Sequence, residues 1–235
     1  MAVRGRTQCG PTMLIVSPLD ILEFMQEVFM KRLLIIAFLL SFLFVGCRKT
    51  ERELMKKPVI YLYPEFTQEI EVKLDYAGEL TCTYPAYNDG WHVVAHPNGK
   101  LENKENGKEY SYLFWEGNAE IEYDLSKGYV IAGNDTAEFL ETKLSELGLN
   151  RAEANEFIVY WLPRMQDNKY NLITFQNKIY TEAAKLEITP KPDSILRVFM
   201  AYKPLEEFME LEEPNIEAFH RKGFTVVEWG GTEVK

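Results

Sequence analysis

From Lys57 to the C-terminus, short runs of β-branched and aromatic residues recur at close spacing, each ended by turn-forming residues. This rhythm leaves few folds open. Ile70, Val72 and Leu74 alternate with Glu69, Glu71, Lys73 and Asp75, the period of a strand with one wet face. Ala77-Gly78 separates this run from Leu80–Tyr84, which is expected to be its hairpin partner. Val59–Tyr63 stops at Pro64, and Asn88-Asp89-Gly90 and Pro97-Asn98-Gly99 bracket Trp91–His96. Asn106-Gly107 precedes Tyr110–Trp115, and Ile121, Tyr123, Tyr129 and Ile131 suggest further strands. Strands at such even spacing predict an antiparallel β-sandwich or a partly open barrel.

Helical signals begin only after Gly133. Asp135 with Glu138 has the spacing of a capped helix start, and Ala137, Phe139, Leu140, Leu144 and Leu147 repeat mainly at three and four residues before Gly148. Asn150 with Glu153 opens a second helix, whose end is ambiguous because Phe157–Leu162 reads equally as buried helix or strand before Pro163. Tyr170–Phe175, Leu186–Ile188, Ile195–Tyr202 and Phe224–Trp229 read as strands, with a short helix over about 215–220. The expected class is therefore α+β and strand-rich, with a β-rich domain over 58–132 and a closely packed α+β domain over 133–235.

Upstream, Lys31 and Arg32 precede Leu33–Val45, thirteen residues of which only Ser41 is polar. As a helix this run rises roughly 20 Å, against a hydrocarbon core of about 30 Å, so it suits a signal peptide better than a membrane span. It ends in Phe44-Val45-Gly46-Cys47, which resembles the lipobox of bacterial lipoproteins except that leucine is usual where Phe44 stands. The resemblance implies cleavage before Cys47 and acylation of its sulfur; an uncleaved anchor or an ordinary signal peptide are the alternatives. Residues 30–46 are then the signal peptide and 47–57 a tether. Residues 1–29 show no clear period and are expected to be a misassigned upstream extension, with an unusually long leader as the alternative.

This division changes the arithmetic of the folded part. The segment before Cys47 holds four of the chain's 26 basic and three of its 36 acidic residues, so the remaining 22 and 33 give a net charge of −11. Such a balance argues against sequence-independent nucleic-acid binding, which needs a Lys/Arg-rich face. The tether is basic, with Arg48, Lys49, Arg52, Lys56 and Lys57, and would be drawn to an anionic membrane that repels the body. Cys82 becomes the lone thiol beyond the anchor, so no internal disulfide can form there, and its place in a β-rich run predicts a buried, inert group.

Three stretches are distinctive: Lys57-Pro58-Val59-Ile60-Tyr61-Leu62-Tyr63-Pro64-Glu65, Tyr110-Ser111-Tyr112-Leu113-Phe114-Trp115-Glu116-Gly117 and Arg221-Lys222-Gly223-Phe224-Thr225-Val226-Val227-Glu228-Trp229-Gly230-Gly231. They resemble blocks in a group of uncharacterised bacterial proteins, many of them predicted lipoproteins. The resemblance implies a shared fold and an envelope setting, and carries over no catalytic residues.

Candidate chemistry is sparse. His92 and His96 have the spacing of two ligands on a helix, but in a strand residues four apart lie about 13 Å from one another, so no metal is expected. His220 lies in a charged stretch and is expected to be exposed. The sequence contains no G-x-S-x-G elbow, P-loop, G-x-G-x-x-G, H-E-x-x-H or paired-cysteine motif, and no cofactor is expected. The acidic run Glu206–Glu213 reads as a solvated amphipathic segment rather than a calcium loop. Aromatic residues give the better clue: Tyr87, Trp91, Tyr110 and Trp115 are candidate ligand-binding rings, with core packing as the competing role. Alternation places Tyr110, Tyr112 and Phe114 on one face and Leu113 and Trp115 on the other.

The expectation is a lipoprotein anchored through Cys47 in the cell membrane or outer membrane, facing away from the cytoplasm. It would serve as a non-catalytic binding or structural module for a glycan or protein of the envelope. Arg48 after the cysteine resembles lipoproteins sent to the outer of two membranes. The contrasting expectation is an envelope hydrolase acting on glycan or peptide through carboxylates that the sequence does not single out.

Overall fold

The computed structural model describes Met30, Lys31 and residues 53–235. Cys47, the remainder of the leader and the first residues of the tether lie outside the described residues. The strands in chain order are β1 Glu53–Tyr63, β2 Gln68–Tyr76, β3 Glu79–Tyr84, β4 Trp91–Ala95, β5 Leu101–Asn103, β6 Glu109–Tyr110, β7 Leu113–Ala119 and β8 Tyr129–Ala132. Helices α1 Thr136–Glu146 and α2 Arg151–Met165 come next, then β9 Tyr170–Phe175, α3 Asn177–Ala183, β10 Ala184–Thr189, β11 Ser194–Leu205 and β12 Thr225–Glu233. The class is α+β and strand-rich.

Two sheets stack face to face. One has seven strands in the order β3-β7-β1-β12-β11-β9-β8, the other five in the order β10-β2-β4-β5-β6. Between them Ile60, Leu62, Trp115, Phe199 and Val226 of the large sheet meet Ile70, Val72, Trp91, Val93 and Leu101 of the small one. Helices α1 and α2 cover the other face of the large sheet, where Leu140, Leu144, Phe157, Trp161 and Met165 pack on Val59, Val198, Met200, Val227 and Trp229. The architecture is a sandwich with a helical layer outside one sheet.

This layering explains the residue patterns. In β2, Ile70, Val72 and Leu74 turn inward while Glu69, Lys73 and Asp75 remain in water, because among the described residues only one face of the small sheet is covered. Strand β12 lies between core layers and is buried from Thr225 to Thr232, so Val226, Val227 and Trp229 are all enclosed and the charged Glu228 needs a buried partner. Trp161 packs directly on it: a Cβ at Gly231 would stand 2.7 Å from the indole. That apolar stripe, Phe157-Trp161-Met165, carries α2 through Pro163 and resolves the ambiguity in favour of helix.

Several connections differ from the sequence-based reading. The large sheet is mixed rather than antiparallel, because β11 and β12 pair in parallel. It crosses residue 132, drawing β3, β7 and β1 from one side and β12, β11 and β9 from the other. β3 does not pair with β2 but with β7 in the large sheet, and β2 pairs with β4 and β10 in the small one. The run from Tyr110 to Trp115 divides between sheets, with Ser111 and Tyr112 joining β6 to β7. Residues 53–57, expected in the tether, are strand: Glu53 pairs with Ala119 and Met55 is fully buried. Ile121 and Tyr123 lie in irregular chain.

The expected helix near 215–220 is also irregular. Six residues form a helix poorly without tertiary support, and here the contacts are made by extended chain. Ile216 and Phe219 pack on the helix-side core, and Arg221 binds Glu153.

Candidate functional site

Of the four candidate rings, the two tryptophans are core. Trp91 is 1% exposed and its Nε1 donates to Pro85 O at 2.9 Å. Trp115 is fully buried and donates to Glu228 Oε1 at 3.1 Å. Tyr87 is half-buried, its ring edge-on to Trp91 and its hydroxyl bonded to the Leu74 backbone. Both indoles are therefore withdrawn from any ligand; the alternation that aims them inward was visible, but which face met water was not. Tyr110 differs. It is half-buried, accepts from Asn106 Nδ2 at 2.9 Å, and meets Tyr84, which is 60% exposed, edge-on at 5.2 Å.

Tyr84 belongs to a larger open surface. The helices cover the β12-β11-β9 half of the large sheet, while the other half is only partly covered. On β7 the outward side chains Phe114, Glu116 and Asn118 are half-buried, and on the edge strand β3 the outward Cys82 and Tyr84 are exposed. Tyr84 stands opposite Phe114 and Cys82 opposite Glu116. Cys82 thus departs from its expected burial because β3 is the edge of the sheet and no described residue covers it.

Where this surface reaches β1 the chain is irregular. The register of β1 shifts between Met55 and Val59, Pro58 supplies no N–H, and Lys57 has a φ of 58°, in the left-handed region that favours glycine. The Lys57 N–H turns out of the ladder to Glu116 Oε1 at 3.1 Å. Its ammonium lies 5.1, 5.6 and 6.0 Å from the ring centroids of Tyr112, Phe114 and Tyr160, and donates to the Tyr112 hydroxyl at 3.4 Å. Tyr112 meets Tyr61 edge-on at 5.3 Å, and Tyr61 donates to Glu156 Oε2 at 3.0 Å. Burial, reinforced by the Glu156 charge, holds the Tyr61 phenol far above its ordinary pKa, so it stays a neutral donor. Arg164 stacks on Tyr160 at 4.0 Å and Arg221 over Tyr63 at 5.7 Å. Cations and rings therefore interleave along one side of a chain that is acidic overall.

All three distinctive blocks converge here. They form β7, β1 and β12, which are neighbours in the sheet. The Tyr63–Tyr61–Tyr112–Phe114 set and Lys57 come from the first two blocks and Arg221 from the third. Sequence reasoning missed Lys57, Tyr61 and Glu116; the usable signal was the blocks themselves, since a lysine before proline reads as an ordinary strand start.

The remaining candidates stay apart. His96 binds Thr67 and Glu102, whereas His92 is 3.6 Å from Glu71. Among the described residues no group of three or more His, Cys, Asp and Glu could hold a metal ion. No helix among them is long and apolar enough to cross a membrane. A cavity of about 610 Å³ lies beside Ile195–Val198 of β11, with Leu147 and Phe219 on one side and Lys185 and Thr181 on the other.

No protein-family model and no solved structure matches the chain. It is similar to an uncharacterized protein in the bglA 3′ region of Butyrivibrio fibrisolvens, 50% identical over 64 residues, or 26% of this chain. The match covers 65% of that relative's own length, less than two thirds.

Proposed function

We propose that this chain is a lipid-anchored, non-catalytic module of the bacterial envelope that binds a glycan on the open half of its large sheet. The observation that carries the reading is the solvent-facing Tyr84, in register with Phe114 and edge-on to Tyr110, beside the ring-lined Lys57. Tyrosine rings offer flat apolar area with a polar tip and little side-chain entropy to lose. Next to ammonium and carboxylate groups they suit sugars, whose C–H faces stack and whose hydroxyls pair. The basic residues and apolar run before Cys47 support an acylated anchor facing away from the cytoplasm, in the cell membrane or outer membrane.

Two experiments test the reading. Palmitate labelling in the producing cells should be lost in Cys47→Ala, and labelling that persists would remove the anchor assignment. On a glycan array the detergent-solubilised lipoprotein should retain ligands that Tyr84→Ala does not. A blank array, with retention of an envelope protein through the same rings, would transfer the face to a protein partner.

A further inference from the structure

We infer that Lys57 and Tyr112 form a carboxylate receptor on this face, so that the glycan it takes is an acidic sugar. The inference rests on the glycan-binding reading above and adds the chemical class of the ligand.

Lys57 occupies a position that glycine would fill without penalty, since its φ is 58°. Strained backbone of this kind persists where the surroundings over-determine it, and it clusters at sites with a task. Here the conformation is held by the bond from the Lys57 N–H to Glu116 Oε1, and its effect is to carry the lysine stem over Tyr112 and Phe114. Among the described residues the ammonium has no carboxylate within ion-pair distance, whereas most exposed lysines of the small sheet have one, such as Lys73 with Glu71 and Lys104 with Glu69. It has the Tyr112 hydroxyl as acceptor instead. That leaves two ammonium hydrogens free, and Tyr112, having accepted, keeps its own O–H to donate. The two groups thus present donors side by side, the arrangement that holds both oxygens of a carboxylate.

The surroundings select among anions. Glu116 accepts the Lys57 backbone N–H and Glu156 the Tyr61 hydroxyl, and neither forms an ion pair with the ammonium. On a body of net charge −11, a singly charged carboxylate meets less repulsion there than a doubly charged phosphate. The Phe114 ring and the exposed Tyr84 opposite it supply the apolar surface on which the body of a pyranose can rest.

The test uses the detergent-solubilised lipoprotein and a matched pair of probes, cellobiuronic acid and cellobiose, which differ only in the carboxylate. By titration calorimetry the acid should bind at least about tenfold more tightly, the worth of one charge-assisted hydrogen-bonded pair. Lys57→Met should abolish that preference, so that within the variant the acid binds no more tightly than cellobiose. Lys57→Gly, which removes the side chain and relieves the backbone, should do the same and guards against misfolding as the cause. Equal binding of the two probes by the unaltered protein, or a preference that survives in both variants, would overturn the inference alone. Binding of neither probe would overturn this inference, whereas the glycan reading itself stands or falls on the array. Preferential binding of N-acetylalanine over both sugars would overturn the sugar assignment.

Discussion

Arg197 and Glu228 stand opposite one another on the parallel strands β11 and β12 and form an ion pair inside the sandwich, with Nε 2.5 Å from Oε2. The Glu228 side chain is fully buried and that of Arg197 is 9% exposed. Trp115 donates to the second Glu228 oxygen, Arg197 Nη1 reaches Ala184 O, and the guanidinium lies over the Tyr180 ring at 4.6 Å. Burial alone would lower the Arg197 pKa, but Glu228 and Tyr180 outweigh it and hold the guanidinium above its ordinary value. Removing one partner strands a charge in the core, so Glu228→Leu or Arg197→Met alone should cost about 3–5 kcal/mol in urea unfolding. The double variant should recover much of that loss, and a purely additive loss would contradict direct pairing.

Glu153 ties the β11–β12 crossover to the start of α2. Its carboxylate closes the capping box by accepting from the Asn150 N–H at 2.8 Å, and it also binds Arg221 Nη1 at 3.0 Å. Arg221 in turn donates to Gly148 O at 2.8 Å. Asn150→Ala should cost about 1 kcal/mol through loss of the cap. Arg221→Ala should leave α2 intact and release the crossover, raising amide exchange selectively over residues 206–224; uniform loss of protection would show that the pair supports the whole fold instead.

Lys57→Gly and Lys57→Ala should separate backbone strain from side-chain contacts. Both remove the ammonium from the rings, but only glycine adopts the φ of 58° freely. The glycine variant should therefore be the more stable by roughly 1 kcal/mol in chemical denaturation. An alanine variant as stable as the glycine one would mean that the turn is not strained.

Alkaline pH should unfold this protein through its tyrosines. Burial raises the pKa of Tyr76 to about 12 and pushes Tyr61, Tyr63 and Tyr202 higher still; burial and the Glu228 charge do the same for Tyr180. Because the folded pKa lies above the unfolded one, the stabilisation is fully present below about pH 10. Above that, the unfolded chain binds fewer protons and stability falls with pH. Each wholly suppressed tyrosine contributes up to about 1.4 kcal/mol per pH unit. Tyr61→Phe should make the decline between pH 10 and 12 shallower, and an unchanged slope would contradict its suppression.

What the sequence disclosed and what it hid have the same physical origin. Alternation in β2 and the capping box of α2 are local, and both were legible. Pairing partners are not local: the Ala77-Gly78 turn suggested a hairpin, yet β3 crosses to the large sheet, where Tyr76 packs on Trp115 and a Cβ at Gly78 would stand 2.1 Å from Asn118 O. Trp91 and Trp115 read as candidate ligand-binding rings and prove to be core, because their burial depends on the opposite sheet. The Lys57 site assembles residues from β1, the β6–β7 connection, β7 and α2, so only the three sequence blocks hinted at it.

The most direct test of the glycan-binding reading is co-sedimentation of the protein with purified peptidoglycan sacculi and isolated envelope polysaccharide, comparing the unaltered chain with Tyr84→Ala. Tyr84 is 60% exposed, so its truncation should change stability by no more than about 0.5 kcal/mol. The reading predicts that the unaltered protein sediments with at least one of these glycans and that the equally stable variant remains in solution. Failure of the unaltered protein to sediment with either, or equal sedimentation of the variant, would contradict it.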